Sequence, residues 1–450
     1  MTDVRKRQLA WVAGISAVIA LLAIWTFAID WEWTYYGDDM SHLTRGREAL
    51  AKGPLGLVGA IAEPFLLTDE SRFRPLYWSF TTAAYQLGPT GIRIFALGTY
   101  LLSFIALIQI TRRNCPKSNA SLLIWVSALF LANYTLVYGL WVSSIQELWG
   151  VGLIALAALQ TRLGWQAFWL FTASLMKEPF VFVLLTFGLI QLASRRLRLG
   201  VLLCLASAFE LAFVIRGARL DGQAQSAFQL NPWHVWANLG TLGQGGALFL
   251  VVALIGLVAF AGRLHFAGNS LVFMTLGGAY AGSLLFWNTG GHYQPPVWYF
   301  LALGLAFSIK SQAPLTEDGS SRRSVVRFVV VSACLTTALL ATAETFRTHV
   351  IGWNAMVNGA RDWTISAQKQ GTRVFLYNIN EREFNFYLEE TTRIPLVEPL
   401  VTWYPHLERP KITSDYEYVI VAGFQDLPGE LTRCKAVRVW TQGFLAPLKC

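Results

Sequence analysis

The sequence predicts an α-helical polytopic membrane protein. It would have about eleven transmembrane helices and a cytoplasmic N-terminus, with amphipathic helices in the first outer loop and a small C-terminal α/β extracytoplasmic domain. Three observations predict it. Of 450 residues, 54% are hydrophobic and only 14% are charged, against about 25% charged in ordinary soluble domains, and mean hydropathy is +0.44. The apolar residues fall into long runs, and Lys and Arg gather at alternate gaps between those runs. The formal charge of +9 does not point to nucleic acid, because the basic residues form short clusters flanking apolar runs, where they suit lipid headgroups.

The first run, 9–29, follows Arg5, Lys6 and Arg7. Trp31, Glu32 and Trp33 come after it instead of a small-residue cleavage site, so it reads as an uncleaved anchor. The aromatic residues at 31–36 read as an interfacial belt. Further runs lie at 92–110, 120–137, 141–159, 165–175, 180–193, 197–215, 247–261, 271–287, 297–309 and 328–343. Several are shorter than the ~20 residues that a span needs. The pair flanking Lys177 reads either as two short spans or as one broken hairpin. With the N-terminus inside, alternate loops carry Arg112, Arg113 and Lys117; Arg162; Arg195, Arg196 and Arg198; Arg263; and Lys310, Arg322 and Arg323. The positive-inside rule then places 30–91 and everything after 343 outside the cytoplasm. The organisation expected is a transmembrane domain, 1–343, followed by an extracytoplasmic domain, 344–450.

The outer segment 30–91 is long for a connector, and such loops are usually functional. Within it "HLTRGREAL" and "PLGLVGAIA" read as short amphipathic helices lying on the membrane. Near the C-terminus "TRVFLYNI" and "EYVIVAGF" read as buried strands, with a helix over "NEREFNFYLEET" between them. Cys434 and Cys450 are expected to form a disulfide in an oxidising compartment. No internal repeat is visible.

An ionisable group at membrane depth is costly and points to function. The acids expected on the outer side are Asp38, Asp39, Glu147, Glu178 and Glu210. The cations are Arg72, Arg74, Lys177, Arg216 and Arg219, with His292 as a further candidate. Convergence of the two sets suits transfer of a sugar from a lipid-phosphate donor. The leaving phosphate needs cations as its charge grows, and the acceptor hydroxyl needs a carboxylate base. Each residue also has a purely structural reading. Asp39 would be the N-cap of a helix starting near Met40. Lys177 and Glu178 would pair with each other at a turn, and Arg72 and Arg74 would touch lipid phosphates. The loop at His292 would be only tight, and Glu210 would be a satisfied hydrogen-bond partner. His234 and His265 lack metal-ligand spacing, and no nucleophile elbow, Walker loop or paired C-x-x-C motif is present. Adjacent carboxylates at Asp38 and Asp39 permit a divalent cation without requiring one.

The order of these pieces resembles the C-type superfamily of polytopic membrane glycosyltransferases. The resemblance is to the branch of protein O-mannosyltransferases and lipid A aminoarabinose transferases. The carrying segments are "GDDMSHLTRGREALAKGPLG" after the first span, "RFRPLYWSF", "LGPTGIRIF", "SSIQELWG", "LMKEPF" and "GGHYQPP". They cover roughly the first 310 residues. The pair is Asp-Asp where that family commonly has Asp-Glu, Glu147 stands where Asp is usual, and His292 where Arg is usual. The resemblance implies a bacterial inner-membrane enzyme with its active site on the periplasmic side. It would transfer a hexose or pentose from a polyprenyl-phosphate sugar, with inversion, to a glycan, lipid or protein acceptor. It implies Asp38 as base, with Asp39 and Glu147 as further catalytic acids. Lys177, Arg72, Arg74 and His292 would bind the donor phosphate, and Tyr36, His42, Glu178 and Tyr293 would line the donor or acceptor pocket. The rival readings are a ligase or polymerase of lipid-linked glycans and a non-enzymatic lipid or ion transporter. The transporter would be expected to place polar groups at mid-membrane and often to show inverted repeats.

Overall fold

The computed structural model describes residues 38–63, 74–84, 88–116, 120–140, 145–220, 231–286, 293–310 and 321–371, together with five strands beyond them. The helices are α1 (Asp38–Ala51), α2 (Pro54–Ala62), α3 (Pro75–Ala84), α4 (Gly88–Asn114), α5 (Ala120–Ala132), α6 (Ile145–Leu159), α7 (Leu163–Ser174), α8 (Pro179–Ala193), α9 (Leu197–Leu220), α10 (Pro232–Ala259), α11 (Asn269–Phe286), α12 (Pro295–Ser308), α13 (Ser321–Thr345) and α14 (Gly352–Lys369). A 3₁₀ segment, Tyr134–Leu140, follows α5, and a π-helical segment, Phe346–Ile351, joins α13 to α14. Five of the helices begin on proline: Pro54, Pro75, Pro179, Pro232 and Pro295. At a first helical position the missing N–H would have had no intrahelical partner, and the fixed φ is already helical. The Asn231 side chain adds a cap to α10, accepting from the Trp233 backbone N–H at 3.0 Å.

The described parts of the ten apolar runs beyond 91 lie almost wholly on helices, and the protein is an integral, multi-pass membrane protein. Length divides them. Five helical stretches are long and apolar enough to cross a bilayer: Gly91–Asn114, Leu197–Arg216, Pro232–Ala259, Asn269–Phe286 and Val325–Ile351. A sixth arises if α5 and its 3₁₀ continuation, bent by 59°, act as one span. Helices α6, α7, α8 and α12 have 12 to 15 residues. At 1.5 Å per residue they reach only about 18–23 Å, against a hydrocarbon core of about 30 Å. The expected count of eleven therefore draws on helices that do not span by length alone. The first run, 9–29, lies outside the described residues.

The chain divides into two compact units, one containing 49–344 and the other containing 29–48 with 345–450. In the first, close helix approach depends on small residues facing large ones. The Trp125 indole occupies the space that a Cβ on Gly256 would need, and its Nε1 donates to the Val252 carbonyl at 2.9 Å, locking α5 against α10. Gly245 and Gly246 make the same room for Gln294 and Trp298, so α10 meets the start of α12. Asn133, at the break after α5, donates to the Pro295 carbonyl at 2.9 Å. Tyr299 donates to the Ser103 carbonyl at 2.8 Å across α4 and α12. These contacts bury α12 along most of its length. The outer faces of α9 and α10 leave Leu202, Leu205, Leu254 and Val258 exposed, as lipid-facing helices require.

In the second unit the strands are β1 (Val374–Tyr377), β2 (Val401–Trp403), β3 (Tyr418–Ala422), β4 (Lys435–Ala436) and β5 (Leu445–Lys449). They form one sheet in the order β2-β1-β3-β5-β4. β1 runs parallel to both β2 and β3, while β5 is antiparallel to β3 and β4. The two segments expected as strands coincide with β1 and β3, neighbours in the sheet, where Val374 pairs with Tyr418 and Tyr377 with Val421. The helix expected over 380–391 lies outside the described residues, as do Cys434 and Cys450. The described cysteines Cys115, Cys204 and Cys334 are free thiols.

The helical stretches expected in the first outer loop are α1 and α2. Asp38 and Asp39 lie on the backbone of α1, and the residues ahead of Asp38 lie outside the described ones. α2 leaves Leu55 and Val58 exposed.

Candidate active site

Four separate segments of the first unit bring charge into one buried place. The chain entering α3 carries Arg74, and the first turn of α6 carries Gln146 and Glu147. The turn between α7 and α8 carries Lys177 and Glu178, and Tyr293 stands just before α12. The two loop segments are joined through the backbone, the Leu76 N–H donating to the Leu175 carbonyl at 3.1 Å. Arg74 Nε donates to Glu178 Oε1 at 2.7 Å, and Arg74 Nη1 donates to Gln146 Oε1 at 2.8 Å. Lys177 Nζ is paired with Glu147 Oε1 and lies 3.8 Å from the centroid of the Tyr293 ring, a cation–π distance.

The pairing is crossed relative to the sequence. Lys177 and Glu178, read as a pair at a turn, each take a partner from another element: Lys177 takes Glu147 of α6, and Glu178 takes Arg74 ahead of α3. The reading of Arg74 as a surface cation touching lipid phosphate is likewise corrected, because its side chain is buried. Lys177 and Glu147 are each only 1% exposed. Ions so deeply buried are tolerated only when paired and hydrogen-bonded. Burial pushes the Glu178 carboxyl up, but the Arg74 charge, its hydrogen bond and nearby Lys177 outweigh that and hold it below its usual value. The charged form of Glu178 is thereby favoured beside Arg74.

The pairs do not exhaust the cluster. Guanidinium has five N–H donors, and the two contacts above use two of them. Glu147 Oε2 is buried with no hydrogen-bond partner among the described residues. The first unit also holds an apolar cavity of about 280 Å³ lined by Leu76, Phe80, Phe95, Trp149, Leu153 and Met176 among others, with no charged side chain in its lining.

Glu210, inside α9, accepts from the Ser174 hydroxyl at 3.1 Å through Oε1, and its Oε2 has no partner among the described residues. Its role as a satisfied hydrogen-bond partner is met by one oxygen only. His234 contacts Asn238 at 2.9 Å, and no group of three metal-ligating side chains occurs among the described residues. Tyr36, Arg72 and His292 lie outside the described residues. Asp38, Asp39 and His42 are described as helix backbone only. One member of this cluster is not legible in the sequence: Gln146, hidden beside Glu147.

No family model matches the chain, and no curated protein matches it. Among solved structures it is similar to the crystal structure of ArnT from Cupriavidus metallidurans bound to undecaprenyl phosphate, at 13% sequence identity and a TM-score of 0.46, with 98% of each chain covered. The likeness is long but loose, and no residue role is taken from it.

Proposed function

We propose that the protein is an integral-membrane glycosyltransferase, moving one monosaccharide from a polyprenyl-phosphate donor to an acceptor outside the cytoplasm with inversion at the anomeric carbon. The observation that carries this reading is the buried convergence of two cations, Arg74 and Lys177, from separate segments of a multi-pass membrane protein. Buried cations suit an anionic headgroup, and a polyprenyl tail would stay in the bilayer. In the reaction the acceptor oxygen attacks the anomeric carbon, the bond from that carbon to the phosphate oxygen breaks, and the phosphate leaves with the electron pair. Lys177 and Arg74, with Arg72 and His292 as further candidates, are assigned to the growing phosphate charge, where fixed cations in a dry site act most strongly. The remaining oxygen of Glu147 suits a sugar hydroxyl as hydrogen-bond donor. Tyr293 and Glu178 orient the two cations. Asp38 is assigned as the base that takes the acceptor proton, with Asp39 supporting the acceptor or the start of α1. Phosphate is a good leaving group, so no carboxylic acid is needed to protonate it. A divalent cation at Asp38 and Asp39 fits the same scheme without being required by it.

The test is sugar transfer by membranes containing the protein, supplied with labelled polyprenyl-phosphate hexose or pentose. Expected is release of polyprenyl phosphate in step with transfer. Transfer only from an oligosaccharide diphosphate would replace this reading with the ligase. Lipid or ion flux without transfer would replace it with the transporter.

The same reading places the C-terminus outside the cytoplasm, since an odd number of crossings separates it from a cytoplasmic N-terminus. Alkaline phosphatase fused after Cys450 is expected to be active and a cytoplasm-dependent reporter silent. The opposite pattern would mean an even number of crossings, with the short helices α7 and α8 the first to re-examine.

A further inference from the structure

Glu210 lies in α9, a helix long and apolar enough to cross a bilayer, and is 2% exposed. Among the described residues it meets one hydrogen-bonding group, the Ser174 hydroxyl, 3.1 Å from Oε1. Its Oε2 meets none, and no ion pair among the described residues includes it. Glu147 and Glu178, the other buried acids, each have a cation. Ser174 ends α7 and is buried too. Its hydroxyl also lies 2.6 Å from the Phe171 carbonyl. A hydroxyl has one hydrogen, and here two oxygens compete for it. The nearer one, a carbonyl, can only accept. If Glu210 were a carboxylate, one of the two contacts would lack a hydrogen. If it is a carboxylic acid, it supplies its own to Ser174 Oγ, and Ser174 keeps its bond to Phe171. The same choice follows from burial, since a carboxylate without water or a cation is far costlier than the neutral acid.

The contact is also well placed. Ser174 stands three residues before Lys177, and the intervening Leu175 carbonyl accepts the Leu76 N–H at 3.1 Å, which ties it to the segment of Arg74. Beyond the turn, α8 packs closely on α9, because Gly188 leaves room for Cys204 and Gly200 for Leu192. The end of α7 is fastened to the same helix α9 by Glu210. We propose that Glu210 is a neutral carboxylic acid whose O–H donates to Ser174 Oγ, and that this bond makes it a positioning residue for the turn carrying Lys177 and Glu178. The positioning role rests on the glycosyltransferase reading; the protonation state does not.

The experiment uses the full-length protein in lipid nanodiscs. Infrared difference spectra at neutral pH, wild type minus Glu210→Gln, are expected to show the carbonyl stretch of one protonated carboxylic acid. Carboxylate bands in its place overturn the proposal. Glu210→Gln is expected to keep transfer close to wild type, because its amide N–H donates to Ser174 as the acid does. Glu210→Leu and Ser174→Ala are each expected to lower transfer about tenfold, since a small misplacement of a reacting group is costly. The double variant should fall no further than the lower single, because both remove one interaction. The unfolding temperature of Glu210→Leu should hold or rise, as an unpartnered buried oxygen is removed. Failure of Gln to restore transfer, additive losses, or transfer lost only in step with unfolding temperature overturns the positioning role. Wild-type protein with the acid band but no transfer overturns the glycosyltransferase reading and the positioning role with it, and leaves the neutral Glu210 standing.

Discussion

Lys177→Met is expected to abolish sugar transfer and to destabilise the protein by about 3–5 kcal/mol, the usual cost of breaking a buried ion pair from one side. The cost arises because Glu147, 1% exposed, is left with no cation in a place that water does not reach. The double variant Lys177→Met with Glu147→Leu separates structure from function. Replacing both buried ions with apolar groups of similar volume is often neutral or stabilising, so its unfolding temperature should return close to that of wild type. Its transfer activity should not return, because the cation assigned to the phosphate is still missing. Scanning fluorimetry in detergent and a transfer assay at matched protein levels read the two quantities. A stable double variant with near-normal transfer would reduce the Lys177–Glu147 pair to packing. The second pair adds a pH dependence of defined sign. The folded-state pKa of Glu178 is depressed, so its stabilising contribution is present at neutral pH. That contribution is lost as pH falls below the ordinary carboxylate value and through the depressed one.

Much of the helical framework was legible because apolar runs and proline punctuation act locally. Pro179 and Pro295 open α8 and α12 where the runs begin. The apolar run at 247–261 covers only the second half of α10, which starts at Pro232. Its first half, "HVWANLGTLGQGG", carries glycines that in a soluble chain mark a loop. Here Gly245 and Gly246 are where Gln294 and Trp298 lie against the backbone, and small residues at a helix contact are what membrane packing favours. The site shows the same limit. Arg74, Glu147, Lys177 and Glu178 stand out in the sequence as charges among apolar residues, and Tyr293 enters through the resemblance of its loop. The partners of these charges do not stand out, because adjacency suggested Lys177 with Glu178, whereas pairs spanning 30 and 104 residues formed instead. Partner choice depends on how α3, α6 and the α7–α8 turn pack, and no local pattern encodes that.

Asp38→Asn is expected to lower sugar transfer by about 10²-fold or more, the scale of a lost general base, with expression and donor binding near normal. Asn keeps the size of the side chain and its hydrogen-bonding capacity but cannot take a proton. The two acids lie on α1, where consecutive positions stand about 100° apart around the axis. They are therefore poorly placed to share one proton, and a division of labour is the simpler account of the pair. Two adjacent negative charges repel, so stability gains little from the second of them. The resemblance in sequence order assigns the base to the first position, and so Asp39→Asn should retain most of its transfer or lose it through acceptor binding. The measurement is initial transfer rate in membranes, with each variant at matched protein level and donor concentration. Near-normal transfer by Asp38→Asn would end its assignment as base. Loss in Asp39→Asn alone would exchange the two roles. Full activity in both would leave the pair as a helix start and return the base to Glu147, whose second oxygen is buried and unpartnered beside Lys177.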